Sequence, residues 1–107
     1  MPERPPSRHE LPEIDGHALE AARRLDAALA AARAMEQERW VGYLAPLADR
    51  LRDDGVRDLR GAARITRAAY GPKDSIRDVL PEEVTEPLLD ALDRLLRALN
   101  RWEANRA

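Results

Sequence analysis

The sequence has no cysteine and no phenylalanine, and a single lysine, Lys73, stands against seventeen arginines. Without cysteine there are no disulfides, no thiolate catalysis and no cysteine zinc sites. Aromatic residues make up 4% of the chain, so the core must be built from aliphatic side chains. No eighteen-residue apolar run exists to form a membrane-spanning helix. Met1-Pro2-Glu3-Arg4-Pro5-Pro6 lacks the apolar stretch of a secretory signal. The five glycines do not cluster, which leaves no phosphate-cradling loop. A net charge of −2 excludes a dominant basic arm or acidic tail. The expectation from these absences is a cytoplasmic protein without membrane attachment.

What is present favours helix. The 107 residues include 19 alanines and 15 leucines, and with arginine these are the strongest helix formers. β-branched residues are few and never alternate over the length of a strand. The length suits one small domain. The predicted fold is all-α: a compact bundle of about four helices over residues 14–107, behind a disordered proline-rich leader at 1–13 containing Pro2, Pro5, Pro6 and Pro12.

Apolar spacing places the helices. Ala18, Ala22, Leu25, Leu29 and Ala32 share one face, which predicts a first helix over about 16–38 with Asp15 as N-cap. Trp40, Leu44, Leu47 and Leu51 predict a second over 40–53, with a kink or a new start near 43–46 because Pro46 cannot donate to the Gly42 carbonyl. Asp53-Asp54-Gly55 reads as a stop. A third helix is expected over 57–70, closed by Gly71 as C′ residue and by Pro72. Residues 71–83 form a long connection in which Asp74 and Ser75 can cap a short turn while Ile76, Val79 and Leu80 fold back on the core. Leu88, Leu92, Leu95, Leu99 and Trp102 then mark the clearest helix, with Thr85 or Glu86 ahead of Pro87 as its start. Its wealth of large apolar residues raises the expectation of a homodimer or partner interface that includes Trp102.

Catalytic and metal chemistry find little support. Glu13, His17 and Glu20 are spaced to share a helix face, but a di-iron bundle site needs a second Glu-x-x-His, and the other histidine is His9. Ser75 is the only serine outside the leader, and no histidine is tied to it. The reading is therefore not an enzyme, with no cofactor and no metal. Charge is more informative. Arg57, Arg60, Arg64 and Arg67 form a stripe on the third helix, and Lys73, Asp74 and Arg77 follow in the loop. Residues 78–93 then carry six acids and no base. The seven residues from Arg57 to Arg77 are the candidate partner-binding set, serving an acidic protein; the structural reading is that the stripe meets the acidic helix within the same molecule. Leu47 to Leu51, Gly55 and the arginine-rich helix offer a nucleic-acid-binding regulator as the alternative, although the turn falls late and the overall charge is negative.

Two resemblances bear on function. Tyr70-Gly71-Pro72-Lys73-Asp74-Ser75-Ile76-Arg77-Asp78-Val79, flanked by the Trp40 helix and the leucine-rich helix, resembles small uncharacterised bacterial helical proteins whose loop reads aromatic-x-Pro-x-x-Ser-aliphatic-x-acid. Some of these are regarded as immunity or accessory proteins of conflict or secretion systems. The resemblance implies a structured loop and a non-catalytic protein-binding module, with another protein as partner. Trp40-Val41-Gly42 resembles the small secreted helical-hairpin proteins named for a Trp-x-Gly turn, and Tyr70-x-x-x-Asp74 is similar to their export tail. The sequence departs from that pattern at Pro46, Gly55 and Gly61, which interrupt what should be one long second helix, and at Tyr70, which precedes a helix instead of following the last one.

Overall fold

The computed structural model describes residues 4–106. Four helices form the domain: α1 (Pro12–Ala34), α2 (Glu38–Asp53), α3 (Val56–Arg67) and α4 (Glu82–Arg106). Single 3-10 turns lie at Arg8–Glu10, Ala68–Tyr70 and Ile76–Asp78. The main packing pairs are α1–α2, α2–α3, α3–α4 and α4–α1, the closed ring of a four-helix bundle. Leu88, Leu92, Leu95 and Leu99 of α4 share one core with Leu25 and Leu29 of α1 and Leu44 and Leu51 of α2, all buried. Alanines 18, 21, 22, 28 and 32 line the core side of α1. Their small side chains let neighbouring backbones approach, which is how a chain without phenylalanine fills its interior. Among the described residues no helix is long and apolar enough to cross a membrane.

Several boundaries differ from the sequence reading, each for a local reason. α1 begins at Pro12, not Gly16, because proline at the first helical position lacks only an N–H that would be unpaired anyway. Asp15 is therefore inside the helix and caps nothing. It accepts Arg8 Nε at 2.7 Å. The leader is shorter than expected: residues 4–11 have defined places, and the expectation for residues 1–3 falls outside the described residues. Arg8 is the anchor. Its Nη1 donates to the carbonyls of Leu51 (2.8 Å), Arg52 (2.6 Å) and Asp54 (3.2 Å), so a leader side chain supplies the C-terminal cap of α2.

α1 ends at Ala34, four residues early. Glu36 takes φ 55°, Gln37 N–H donates to Ala32 O and Glu36 N–H to Arg33 O, the paired bonds of a Schellman turn without its usual glycine. Pro46 does not start α2: it sits inside a helix assigned without interruption from Glu38 to Asp53. Pro46 and Gly42 are both exposed, so the Gly42 carbonyl that Pro46 leaves without a helical donor is open to solvent. Trp40-Val41-Gly42 lies inside α2 just past the α1–α2 turn, and two further helices complete the bundle, so the architecture is not a two-helix hairpin. Gly55 does break the chain, and Gly61 does not. Gly71 is extended (φ −64°, ψ 171°) instead of left-handed, the conformation a residue before proline prefers. α4 starts at Glu82, and Pro87 sits inside it, with the exposed Glu83 carbonyl as the acceptor it leaves free.

Candidate functional site

The loop before α4 is capped at Ser75, and not at Asp74, which the sequence reading offered beside it. Ser75 Oγ accepts the Arg77 N–H at 3.1 Å and Asp78 Oδ2 accepts the Ser75 N–H at 3.3 Å, a capping box around the Ile76–Asp78 turn. Ile76 and Leu80 are buried, and Val79 is half-buried against the core. Tyr70 donates its hydroxyl to the Thr85 carbonyl, which ties the start of the loop to α4. Burial pushes the Tyr70 phenol well above its usual range. Anchored at both ends, the loop holds Lys73 and Asp74 out in solvent, with Asp74 at φ 51°. Aspartate is among the few residues that occupy this left-handed region at modest cost.

The candidate binding residues divide into two groups. Arg60, Arg67 and Arg77 are engaged within the molecule. Arg60 donates to Asn100 Oδ1 and lies 2.8 Å from Glu103; Arg67 reaches Asp93 at 2.7 Å. Arg77 forms a fork on Glu86 at 2.7 and 2.9 Å and lies over the Tyr70 ring at 5.4 Å. The Arg77 guanidinium holds the Glu86 carboxyl below its usual range. The antiparallel register of α3 and α4 selects Asp93 and Glu103 as partners, not Glu82 or Glu83. Arg57, Arg64, Lys73 and Asp74 have no ion-pair partner among the described residues. The stripe is therefore half an internal seam and half free.

Lys73 and Asp74 meet Trp40 and several residues the sequence did not single out. Together with Arg39, Trp40, Tyr43, Ala68 and Ala69 they line a cleft of about 470 Å³ where α2, the end of α3 and the loop converge. Trp40 is buried and forms its floor; Tyr43 packs edge-on against it with ring centres 5.8 Å apart. Tyr43 donates its hydroxyl to the Ile65 carbonyl at 2.6 Å, which fixes the ring on the surface. Ile65 itself is 45% exposed. Arg39 stacks over Trp40 at 5.8 Å and, like Lys73, has no carboxylate partner among the described residues. A rim of two cations, Arg39 and Lys73, and one carboxylate, Asp74, thus stands over an aromatic and aliphatic floor. For its aromatic half the sequence signal is Trp40 and Tyr43, half of the chain's aromatics, three residues apart on one helix.

The other sequence candidates resolve differently. Glu13 is held by Arg101 at 2.6 Å, and Glu20 by Arg23 and Arg24, which lower its pKa. These carboxylates face guanidiniums, and among the described residues no three acidic or histidine side chains gather as a metal site would require. Trp102 is half-buried against the core near Leu11, with Arg106 over its ring at 4.6 Å. Among the described residues the exposed large apolar side chains are Leu19, Met35, Tyr43 and Ile65, none of them on α4. No protein family, curated protein or solved structure matches the chain.

Proposed function

We propose that this chain is a non-catalytic protein-binding module of the immunity or accessory kind, acting in the bacterial cytoplasm, and that it holds its partner in the Arg39–Trp40–Tyr43–Lys73 cleft. The occupant is a protein segment that sets a carboxylate beside an apolar side chain. The observation that carries this reading is the cleft's combination of an aromatic floor with two cations that form no ion pair among the described residues, against the single carboxylate of Asp74 on the same rim. Aromatic side chains offer large contact area at little entropic cost, and unpaired cations attract an acidic partner. Of the arginines in the α3 stripe and the loop, Arg60, Arg67 and Arg77 are already committed, each facing a carboxylate of α4. That commitment weakens the nucleic-acid alternative, which needs the whole α3 stripe.

The test is a comparison of two charge reversals in affinity capture from the native host. Arg39→Glu with Lys73→Glu is expected to lose the partner that the wild-type chain retains. Arg57→Glu with Arg64→Glu is expected to keep it. Both pairs are exposed, and melting curves should coincide with wild type to within about 0.5 kcal/mol. Retention by the cleft variant overturns the assignment. Loss in the α3 variant alone moves the surface to the arginine stripe.

A further inference from the structure

A second charged feature lies on the side of the bundle where α1 meets α4. Arg94, Arg97 and Arg101 follow at i, i+3 and i+7 on α4, so their guanidiniums leave one face. α1 runs antiparallel to it and brings His17 opposite them. These four side chains line an open hollow of about 290 Å³. Two carboxylates hold its ends: Asp90 takes Arg94 Nε at 2.9 Å and Glu13 takes Arg101 Nη2 at 2.6 Å. Arg97, at the centre, has no carboxylate within 4 Å among the described residues, and neither has His17.

Helix electrostatics do not account for this gathering. The negative end of the macrodipole acts within the last turn, and α4 runs on to Arg106, so Arg94 and Arg97 lie beyond its reach. Like charges at these spacings repel one another. What the arrangement gains is a convergent set of donors. Arg97 offers its whole fork, Arg94 and Arg101 keep the nitrogens their end carboxylates do not use, and His17 adds a ring N–H. A phosphoryl group carries up to about two negative charges on three free oxygens, so it matches the unpaired Arg97 fork and the spare donors of Arg94, Arg101 and His17 better than a singly charged carboxylate does. We infer that this hollow binds the phosphoryl group of a small, soluble phosphate ester. The site is separate from the cleft above and stands or falls independently of it.

Inorganic phosphate is the probe, titrated into the full chain against sodium chloride at matched ionic strength. Arginine Nε–H and histidine ring signals are followed by NMR. The expected result is a saturable shift centred on Arg97 and His17, absent with chloride. Arg97→Gln is expected to weaken binding about tenfold or more, as loss of a charged fork should, while Arg57→Gln, which removes an equally exposed arginine from α3, leaves it unchanged. His17→Ala gives a second variant should Arg97→Gln melt early, and it too should weaken binding. Shifts that rise linearly without saturating, or equal weakening by Arg57→Gln, overturn the proposal. So does binding to phosphatidic acid vesicles with no response to free phosphate, which would place the anion on a lipid surface.

Discussion

Replacing Arg8 by alanine is expected to destabilise the bundle by about 2–4 kcal/mol, although Arg8 lies in a segment with almost no apolar content. Its side chain is 12% exposed, so solvent screens its bonds little. Nη1 faces three carbonyls but carries two protons. The closer Arg52 and Leu51 oxygens, at 2.6 and 2.8 Å, take them, and Asp54 at 3.2 Å shares. Bonds from a charged donor contribute about 1.5–3 kcal/mol each. Against them stands Nη2, which is buried without a partner among the described residues, an arrangement that costs about 1–3 kcal/mol. Loss of the Asp15 pair adds a little, because that carboxylate is 32% exposed. Urea denaturation followed by far-UV circular dichroism measures the change. Hydrogen exchange should place the increased opening at the last turn of α2 and the start of α3. Arg8→Lys should recover only part of the loss, since an ammonium cannot span Asp15 and the helix end together. Arg4→Ala, which removes an exposed pair with Glu10, should change stability by less than about 0.5 kcal/mol. If Arg8→Ala behaves like Arg4→Ala, the leader does not cap α2.

Leu95→Ala, at a fully buried position of α4, should cost about 2–5 kcal/mol in the same denaturation assay. Glu36→Gly should stabilise the fold by about 1 kcal/mol, because glycine adopts the left-handed C′ conformation without the penalty glutamate bears there; a melting temperature unchanged or lowered would contradict the Schellman assignment. The Arg77–Glu86 pair sets a pH dependence. The folded Glu86 pKa lies below its unfolded value of about 4.3, so the pair's contribution is complete above that pH and disappears as pH falls through the folded pKa. Glu86→Gln should therefore flatten the acid limb of stability against pH and leave the curve's shape near neutrality unchanged.

The candidate cleft was half legible in the sequence. Lys73 and Asp74 stand out because Gly71-Pro72 and the Ser75 cap mark an ordered turn whose charged residues must point outward. Arg39 and Tyr43 carry no such mark. They become part of a site only because the antiparallel return of α3 sets Ala68 and Ala69 beside the first turns of α2. The arginine stripe shows the same division. Its spacing on one helix face was readable, but which members are free depends on the register of α3 against α4.

By itself the sequence determined the all-α class, the core faces of α1, α2 and α4, the break at Asp54-Gly55 and a capped turn at Ser75. Each is encoded within a few residues, as a period of 3.6, a backbone preference or a side chain reaching its own neighbours. Tertiary structure alone decided the rest. Arg8 reaches carbonyls 43 to 46 positions away, and Arg60 an amide and a carboxylate 40 and 43 positions away. Pro46 is tolerated because its side of α2 is the wet one, and α1 ends early because the turn at Glu36 returns α2 against it. These outcomes depend on how long rigid elements align in space. Local propensity carries no record of that alignment, because the free energy that selects it arises only when the apolar faces close on one another.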